Sequence, residues 1–357
     1  MKILAIDTSC DETAAAVTEN TKIISNIIWS QASQHADFGG VMPSLAQRLH
    51  RERIDFVVNR ALSTAHCSLS TDIDAIAVTI GPGLAIALEV GISKAKQLSQ
   101  KYNRPIIPVN HIEGHLLSCF AQPRNYKLQI INYKFPMFGL VISGGNTQLI
   151  YIEKIGSYKV LAETVDDALG EALDKCARVL GLGYPGGAVL EKFARLGNAK
   201  KYVLPTPLVD DKIKNRFSYS GIKTAMFRLI EKEKPLTKEK ICNLATSFQE
   251  VAFKHIENVL SYQLNHKQSL ALRAQPLTIN HFLLGGGVAN NNLLRSKLRK
   301  LLKPYKITLH TPYSKKLCGD NAAMIGVCAY LKLKARNEKL RNYKNSDFLD
   351  RIPRMKF

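Results

Sequence analysis

A strand–turn–strand pattern occurs twice in this chain and limits the folds that it can adopt. The first copy runs ILAID, TSCDET, AAAVTE from Ile3, and the second runs FGLVI, SGGNT, QLIYIE from Phe138. In each copy, two short apolar runs flank a tight turn of small and polar residues at the same relative place, which is typical of a β-hairpin. The two copies agree in pattern rather than in identity, and this predicts a duplicated unit.

Helical patterns and further strands surround the two hairpins. Residues 42–62 and 86–102 have helical patterns, DAIAVTI and RPIIPVN are predicted strands, and HFLLGGGVANN is a predicted strand that ends in three glycines. Alternating strands and helices predict an α/β fold with mixed sheets. We expect two related lobes, residues 1–131 and 132–320, with a cleft where their glycine turns meet. The segment from about 321 to 357 is expected to pack back onto the first lobe.

Composition places the chain among globular proteins of a reducing compartment. With 46% hydrophobic and 22% charged residues, 357 residues suffice for two domains with their own cores. The seven cysteines are scattered and never form CxxC, which argues against a disulfide framework and a cysteine zinc site. The run ILAID follows Lys2 at once, and no apolar run approaches ~18 residues. We therefore expect no signal peptide, no membrane span and a cytoplasmic protein.

The charge of the chain predicts a polyanionic partner. Fifty basic against 29 acidic residues give a formal net charge of +21, and residues 295–357 alone hold 17 Lys and Arg against four acidic residues. Such a surface attracts nucleic acid at long range through counterion release. No RNA-binding module signature is present in the sequence, so a generally basic soluble protein is the alternative.

The stretch NHIEGH raises the question of a metal site. If it is helical, His111 and His115 share one face, which is how helices supply two nitrogen ligands. The glutamate that follows the first histidine in HExxH proteases is missing, so a zinc-protease site is excluded. Asp320, at the N-cap position before an apolar helix, is a candidate third ligand. Capping and packing roles for the histidines, and a plain cap role for Asp320, are the alternatives.

Four glycine-rich turns lie at the ends of predicted strands or helices. They are GPG (residues 81–83), ISGGNT, YPGGAV and LLGGGVANN. Glycine lets backbone N–H groups approach a phosphate closely, and a helix N-terminus adds positive potential. None of the turns fits GxGxxG or GxxxxGK[ST], so Rossmann and P-loop folds are excluded. The set as a whole predicts a nucleotide or phosphate ligand.

The stretch VDDALGEALDK predicts an acidic helix face. Asp167, Glu171 and Asp174 are spaced four and three residues apart, so a helix would align their carboxylates. A solvated acidic first turn and a ligand-facing surface are both compatible with this pattern. The later stretch SYSGIKT groups hydroxyls with a lysine, either as a loop or as a contact surface for a polar substrate.

In this order the motifs resemble one family, the tRNA threonylcarbamoyladenosine transferases of the bacterial TsaD type. The matching stretches, from residue 7 to about 326, are DTSCDET, HADFGGVMPSLAQR, GPGL, HIEGH, ISGGNTQL, DDALGEALDK, YPGG, SYSGIKT, GGGVANN and GDNAAMIG. Each stretch alone is weakly specific, but all ten in the family's order are very specific.

The resemblance implies the fold of the actin, Hsp70 and sugar-kinase (ASKHA) superfamily, with two duplicated α/β lobes around a nucleotide cleft. It implies transfer of threonylcarbamoyl from threonylcarbamoyl-AMP to N6 of adenosine 37 in tRNAs that read ANN codons. It also implies helpers, namely a paralogous TsaB-type subunit, a small TsaE-type ATPase and a separate synthase for the acyl-adenylate.

The resemblance also assigns residues to the expected site. His111, His115 and Asp320 match the metal ligands, with iron(II) as the expected metal and zinc as the alternative, since imidazole favours transition metals. The substrate-binding positions are Val141, Ile142, Ser143, Gly144, Gly145, Asp174, Gly187 and Asn290. Asp11 or Glu12 is the expected acceptor of the amine proton.

Some positions depart from the family's pattern. Asn146 and Asn110 stand where histidines are usual. Ile86 and Glu89 replace small or apolar residues, and the tail RIPRMKF matches the usual ending only loosely. Because the helix around Glu89 is expected to be buried, this charge predicts a changed partner surface.

Two other functions stay open. A kinase or ATPase of the same superfamily would use the glycine turns and acidic residues equally well, but it has no need of the histidine pair with Asp320. A non-catalytic scaffold subunit that binds tRNA would not need the three metal-ligand residues either. The intact ligands therefore favour the transferase.

Overall fold

The computed structural model describes residues 1–125, 134–208, 214–274, 279–343 and 349–357, with the backbone alone for 267–274 and 341–342. Its strands are β1 (Lys2–Asp7), β2 (Glu12–Glu19), β3 (Lys22–Ser30), β4 (Ala75–Gly81), β5 (Ile106–Asn110), β6 (Met137–Ile142), β7 (Thr147–Lys154), β8 (Ser157–Thr164), β9 (Arg216–Phe217), β10 (His281–Gly285) and β11 (Thr308–His310). Its α-helices are α1 (Ala32–His35), α2 (Pro43–Ala65), α3 (Ala85–Tyr102), α4 (His111–Leu117), α5 (Leu169–Val179), α6 (Gly187–Ala194), α7 (Ser220–Glu233), α8 (Lys238–Ala274), α9 (Asn292–Leu302) and α10 (Ala322–Arg336). Short 3-10 turns are Ala36–Phe38, Ser118–Phe120, Gly287–Asn290, Lys303–Tyr305, Lys315–Leu317 and Leu340–Tyr343.

Two units make up the chain. The first comprises Met1–Tyr133, Lys154–Tyr158 and Thr311–Phe357, and the second comprises Lys134–Glu153 and Lys159–His310. The predicted boundary between residues 131 and 132 lies outside the described residues. The C-terminal stretch is part of the first unit, whose core includes many side chains of α10.

The first unit is built on a five-stranded sheet in the order β3-β2-β1-β4-β5. The strands β1, β2 and β3 pair antiparallel, and β4 and β5 continue the sheet parallel to β1. Side chains alternate between the two faces along β1. Ile3 and Ala5 pack in one core with α10, whereas Leu4 and Ile6 pack in another with α2 and α3. Because both faces are covered, ILAID is apolar throughout.

The second unit is built on a six-stranded sheet in the order β11-β10-β6-β7-β8-β9. The strands β6 and β7 form the predicted antiparallel hairpin, with Ile142 opposite Thr147, while β10 is parallel to β6 and β11 to β10. The order β8-β7-β6-β10-β11 repeats the order β3-β2-β1-β4-β5 of the first sheet. In both sheets, three strands that are consecutive in the chain are followed by two parallel strands. The predicted duplication and mixed α/β class are therefore confirmed, and β9 is an addition at one edge.

Sequence patterns locate the elements of the first unit closely. The helix α3 covers the predicted stretch 86–102, α2 covers 42–62 except for Met42, which is its N-cap, and β4 and β5 correspond to DAIAVTI and RPIIPVN. Within the described parts of the chain, no helix combines the length and the apolar character needed to span a membrane.

The helix α10 packs closely on its neighbours because glycines stand at the contacts. A Cβ at Gly326 would lie 2.6 Å from Oγ1 of Thr18, and a Cβ at Gly114 of α4 would lie 2.9 Å from Cδ1 of Ile325. Both distances are too short for a side chain, so α10 packs on the first sheet and on α4 more closely than any residue but glycine would allow at these two positions. This packing fixes the position of the residues that lead into α10.

Candidate metal centre

The helix predicted at NHIEGH is present as α4, which starts directly after β5. Asn110 caps it, because its side-chain oxygen accepts hydrogen bonds from the backbone N–H groups of Ile112 (2.8 Å) and Glu113 (3.2 Å). Asparagine is among the strongest helix caps. The cap fixes the first turn of α4 and hence the direction in which His111 leaves the backbone.

His111 and His115 lie one turn apart on the same face of α4. Their ring centroids are 4.6 Å apart with the planes at 80°, and both side chains are buried. Oδ1 of Asp320 lies 3.0 Å from Nε2 of His115 and 3.5 Å from Nε2 of His111. The three side chains therefore converge, each histidine presenting the same ring nitrogen to the carboxylate.

Asp320 is not the cap of α10, so that interpretation of the sequence is wrong. The cap is Asn321, whose side-chain oxygen accepts a hydrogen bond from the backbone N–H of Met324 at 3.0 Å. The side-chain amide of Asn321 also donates to the carbonyl of Gly319 at 2.8 Å. With Asn321 in the capping role, the carboxylate of Asp320 is directed at the histidines.

The donor atoms suit one divalent transition metal. Oδ1 of Asp320 lies 3.0 and 3.5 Å from the two Nε2 atoms, separations that bonds of about 2.1 Å to a common ion allow, and one ligand atom from each of the three residues lies within 4.8 Å of the others. Nδ1 of both imidazoles is buried and has no hydrogen-bond partner among the described residues. Two imidazoles with a carboxylate are typical ligands of iron and zinc, and three protein ligands leave positions for substrate or water.

Protonation in this cluster is strongly perturbed when no cation is bound. Burial lowers the pKa of His111, but Asp320 and Asp7 outweigh burial and raise it to about 10. Burial holds the pKa of His115 below its ordinary value. Burial raises the pKa of Asp320, but attraction to His111 outweighs it and holds this pKa well below its usual range. A divalent cation would supply the positive charge that the proton on His111 otherwise provides.

Asp7 belongs to the cluster, although this first residue of DTSCDET was given no role from the sequence. It ends β1, is buried, and its Oδ2 lies 3.5 Å from Nδ1 of His111. Oδ1 accepts a hydrogen bond from the N–H of Ser9 at 3.2 Å, whereas Oδ2 has no hydrogen-bond partner among the described residues. A carboxylate behind a ligand histidine favours the tautomer that leaves Nε2 free for a metal. The available signal was a charged residue ending an otherwise apolar strand.

Asp11 and Glu12, the expected proton acceptors, stand where the turn after β1 leads into β2. Burial raises the pKa of Glu12 well above its ordinary value, and repulsion from Asp11 and Asp320 raises it further. The hydroxyl of Ser30 donates a long hydrogen bond of 3.4 Å to Oε1 of Glu12. Glu12 is therefore within electrostatic reach of Asp320 and holds its proton more strongly than an ordinary glutamate.

Five of the expected substrate-binding residues lie at the end of β6 in the second unit. They are Val141, Ile142, Ser143, Gly144 and Gly145. The first two are buried in the strand, and the N–H of Ser143 donates to the carbonyl of Asn146 at 2.8 Å to close the turn. The two glycines are exposed, and a Cβ at either would meet no atom within 4 Å. This turn therefore leaves open space on the side where a side chain would stand at either glycine.

Two further segments of the second unit pack against this turn. A Cβ at Gly170 in α5 would lie 2.5 Å from the carbonyl oxygen of Ser143, and a Cβ at Gly286 would lie 2.2 Å from that of Ile142. Asn290 ends the 3-10 turn Gly287–Asn290, which contacts both α5 and β6. The glycines thus let three backbone segments meet at the end of β6.

Asp174 fixes the YPGG loop against α5. Its Oδ1 accepts hydrogen bonds from the N–H groups of Gly186 (2.9 Å) and Gly187 (2.7 Å). Gly187 begins α6, so the carboxylate also lies at the positive end of that helix. Asp174 and Gly187 are therefore direct partners of one another.

The predicted acidic helix face is wrong. The helix α5 begins only at Leu169, so Asp167 precedes it and cannot share a face with Asp174. Lys175 pairs with Asp167 at 2.9 Å and with Glu171 at 2.8 Å, and Asp174 is occupied by the YPGG loop. The carboxylates serve local ion pairs and caps because the helix starts later than the spacing suggested.

The stretch SYSGIKT leads into α7 and is held by Asp166. Oδ2 of Asp166 accepts hydrogen bonds from the hydroxyls of Ser218 (2.5 Å) and Ser220 (2.7 Å), and Oδ1 accepts from the N–H of Tyr219 (2.8 Å). Both serine hydroxyls are therefore engaged within the protein.

Comparison with known proteins points to one family. Residues 22–327 match the family described as TsaD: tRNA N6-adenosine threonylcarbamoyltransferase. A similar protein of that name from Thermosipho melanesiensis is 47% identical over 332 residues, covering 92% of this chain and 94% of the relative. Another from Clostridium kluyveri is 43% identical over 360 residues, covering 100% of this chain and 98% of the relative.

A solved structure of different sequence shares the fold. The chain resembles full-length HypF in its phosphate- and nucleotide-bound form with a TM-score of 0.59 at 14% identity. The likeness covers 95% of this chain but 47% of HypF, and it concerns the fold alone. The sequence matches, in contrast, extend through both units and include His111, His115 and Asp320. The chain therefore belongs to the TsaD family, the tRNA N6-adenosine threonylcarbamoyltransferases.

Proposed function

We propose that this protein transfers the threonylcarbamoyl group of threonylcarbamoyl-AMP to N6 of adenosine 37 in tRNAs that read ANN codons. A bond forms between N6 and the carbamoyl carbon, the bond from that carbon to the phosphate oxygen breaks, and AMP leaves with the electron pair. Family membership supports the reaction class. The observation that carries the proposal for this chain is the convergence of His111, His115 and Asp320 within 4.8 Å.

The metal we expect at these ligands is iron(II), with zinc as the alternative. Two imidazoles and a carboxylate favour either ion over calcium and magnesium, which prefer sites made of oxygen atoms alone. When bound, such an ion supplies Lewis-acid stabilisation to substrate oxygen atoms. The contribution of the protein is to present Nε2 of both histidines, with Asp7 behind His111 and Asp320 opposite both rings.

Glu12 is the residue we assign to the proton transfer, with Asp11 as the alternative. The exocyclic amine of adenine is a weak nucleophile, and it must lose a proton as the bond to carbon forms. A general base is most effective when its pKa lies near the working pH, and burial moves Glu12 in that direction. The proton passes from N6 to the carboxylate of Glu12 and then to solvent.

We assign the phosphate of the acyl donor to the turn after β6. Gly144 and Gly145 are exposed, with open space beside their Cα atoms, and the backbone N–H groups of such turns bind phosphate well. Val141 and Ile142 end β6, and Ser143 opens the turn that follows. Asp174, Gly187 and Asn290 are the further substrate contacts we propose, with Asp174 acting through the loop that it holds.

A basic chain suits tRNA as the substrate. A formal net charge of +21 attracts the phosphate backbone and makes binding steeply dependent on salt. We further expect a paralogous TsaB-type subunit and a small TsaE-type ATPase as helpers. A separate synthase would supply threonylcarbamoyl-AMP, and the cytoplasm is the expected place of reaction.

The alternatives are a kinase or ATPase of the same superfamily and a non-catalytic tRNA-binding scaffold. Both fit a two-sheet fold with glycine-rich turns. Neither requires two buried histidines that face one aspartate at 3.0 and 3.5 Å. This cluster is therefore the reason for preferring the transferase.

The test is a modification assay on the purified protein with the helper subunits. The protein receives threonylcarbamoyl-AMP and unmodified ANN-reading tRNA, and mass spectrometry measures the modified nucleoside and the bound metal. We expect product from the native chain, loss of both product and metal in His115→Ala, and retention of both in Asp55→Asn as a surface control. Bound metal without product, beside an active reference enzyme, would overturn the proposal in favour of a scaffold.

A further inference from the structure

The helix that carries both histidines is held on another side by a buried carboxylate. Glu113 lies two residues from each of His111 and His115, so its side chain leaves α4 on a different face. This side chain is 4% exposed, and both of its oxygens are engaged. Tyr158 donates its hydroxyl to Oε1 at 2.7 Å, and Nζ of Lys332 lies 2.8 Å from Oε2. Glu113 is therefore a fixed internal group rather than a solvated acid.

The ion pair between Glu113 and Lys332 joins the two elements that supply the metal ligands. Glu113 belongs to α4, and Lys332 belongs to α10, which starts two residues after Asp320. Lys332 lies ten residues beyond the start of α10, about 15 Å along the helix axis. The pair therefore ties the helices at a point distant from the ligand end of α10, in addition to the close packing at Gly114.

The C-terminal segment, residues 349–357, supports the same helix from two directions. The ring of Phe357 packs on the ring of Tyr158 with the centroids 4.9 Å apart. The carbonyl of Lys356 accepts a hydrogen bond from the side-chain amide of Asn110 at 3.4 Å. Phe357 thus contacts Tyr158, the hydrogen-bond partner of Glu113, and Lys356 contacts Asn110, the cap of α4.

The C-terminal segment is itself anchored on the first unit. The N–H of Ile352 donates to the carbonyl of Ile80 at 2.7 Å, and Nη1 of Arg351 lies 2.6 Å from Oε2 of Glu89. These contacts come before Lys356 in the chain and do not involve α4. The segment is therefore held independently of the helix that it supports.

We propose that Glu113, with Lys332 and Tyr158, is a positioning group that holds α4 against α10 so that the three ligands stay within reach of one ion. The inference rests on the metal binding included in the proposed function, but it concerns affinity for the ion and not the transfer step. If the tie is lost, α4 is held on α10 by the packing at Gly114 without this second point of attachment, and we expect the histidine nitrogens to shift relative to Asp320. Changes to groups that hydrogen-bond a ligand typically cost about 10–100-fold in metal affinity, and Glu113, which acts through the helix, should fall at the lower end of that range.

The test is the affinity of the metal-stripped full chain for Co²⁺, whose visible absorption reports the coordination geometry. Lys332→Met and Glu113→Gln break the ion pair, whereas Tyr158→Phe removes one hydroxyl and keeps the ring against Phe357. The matched control is Asp55→Asn, which breaks the Lys94–Asp55 pair of 2.5 Å elsewhere in the first unit. We expect Co²⁺ to bind about 10-fold more weakly in the first two variants, the lower end of the range for outer groups, with altered absorption. The loss of affinity in Tyr158→Phe should be smaller. The control should bind as the native chain does.

Folding is measured separately by circular dichroism and thermal unfolding. Each single change of the ion pair leaves one buried group unpaired, which is costly to the fold. The double variant Glu113→Gln/Lys332→Met removes both charges, and it decides the question if a single variant does not fold. A folded double variant, or folded Lys332→Met, with native Co²⁺ affinity and native absorption would overturn the inference.

The outcomes also separate this inference from the proposed function. A native chain that binds Co²⁺ tightly, with the expected losses in the variants, but transfers no threonylcarbamoyl would overturn the function and support the positioning role. Equal binding by the native chain and all variants would overturn the positioning role alone. A native chain that binds no Co²⁺ would overturn the metal assignment and the inference together.

Discussion

Oδ1 of Asp320 lies 3.0 Å from Nε2 of His115, although 205 positions separate the two residues in the chain. One ligand comes from α4 directly after β5, and the other comes from the loop that leads into α10. Both helices belong to the first unit and contact one another. The distance between the ligands is therefore set by helix packing, and changes in that packing should alter metal binding.

Substitutions at Asp320 and at Asn321 should distinguish the effect of losing a metal ligand from the effect of losing a helix cap. We expect Asp320→Asn to weaken metal binding by more than the roughly 10–100-fold of an outer change, because a neutral amide is a poorer ligand than a carboxylate. Asn321→Ala should keep the ligands and lower the free energy of unfolding by about 1 kcal/mol. Metal titration and urea unfolding measure the two effects. Equal loss of metal in both variants would contradict this account.

His255 should make the protein less stable in mild acid. It is 2% exposed, and its Nε2 accepts a hydrogen bond from the N–H of Ser218 at 3.2 Å. Burial, with repulsion from Lys214, lowers its pKa to about 4. In the unfolded chain the pKa is about 6.5. The unfolded chain therefore takes up the proton first as the pH falls.

The stability that neutral His255 contributes is complete above about pH 6.5 and is lost as the pH falls towards 4. The loss amounts to roughly 3 kcal/mol, since each pKa unit corresponds to about 1.4 kcal/mol. Urea unfolding at pH 7 and at pH 4.5 measures it. In His255→Gln the side chain can still accept the hydrogen bond but does not titrate, so the loss should be smaller. The same pH dependence in both proteins would refute the assignment.

Gly186 and Gly187 should respond differently to alanine. A Cβ at Gly186 would lie 2.2 Å from Cβ of Ala177, whereas a Cβ at Gly187 would lie 3.4 Å from Oδ1 of Asp174. We expect Gly186→Ala to lower the free energy of unfolding by about 1–3 kcal/mol through overpacking. Gly187→Ala should stay within about 0.5 kcal/mol of the native chain.

If Gly187 contacts substrate, Gly187→Ala should raise the KM for threonylcarbamoyl-AMP in spite of its native stability. Thermal unfolding and steady-state kinetics on the same preparations separate the two properties. A native KM in this variant would remove Gly187 from the substrate contacts.

The ion pair between Arg351 and Glu89 should contribute little to stability. The atoms are 2.6 Å apart, but the side chains are 37% and 43% exposed, and pairs exposed to this degree contribute about 0–1 kcal/mol and are screened by salt. Glu89→Gln should therefore shift the free energy of unfolding by less than 1 kcal/mol, and the shift should vanish in high salt. A loss of several kcal/mol that persists in salt would show that this contact is part of the core.

The sheets were predictable because strand periodicity is local. The apolar runs ILAID and FGLVI are buried on both faces, so every residue in them reports burial, and the turns between strands carry their own small residues. The two histidines were predictable as a pair for the same reason, since spacing of four residues implies one helix face. Local sequence patterns thus predicted the strands and helices, and they predicted that His111 and His115 lie on one helix face.

Long-range geometry was not predictable in the same way. Asp7 approaches His111 only because β1 and α4 are neighbours in space, and no spacing records that contact. Asp and Asn are both good N-cap residues, so the sequence could not decide whether Asp320 or Asn321 caps α10. Tertiary packing fixes which of these elements are neighbours in space. The expectation that Asp320 joins the two histidines therefore came from the resemblance to a family and not from spacing.

The most direct test of the account is transfer measured against metal content. Metal-stripped protein, with helper subunits, threonylcarbamoyl-AMP and unmodified tRNA, receives iron(II) or zinc in steps, and mass spectrometry measures modified nucleoside and bound metal. We predict that product rises with occupancy to a plateau at one ion per chain, and that His115→Ala yields none at any metal concentration. Full-rate product from metal-free protein, or from His115→Ala, would contradict it.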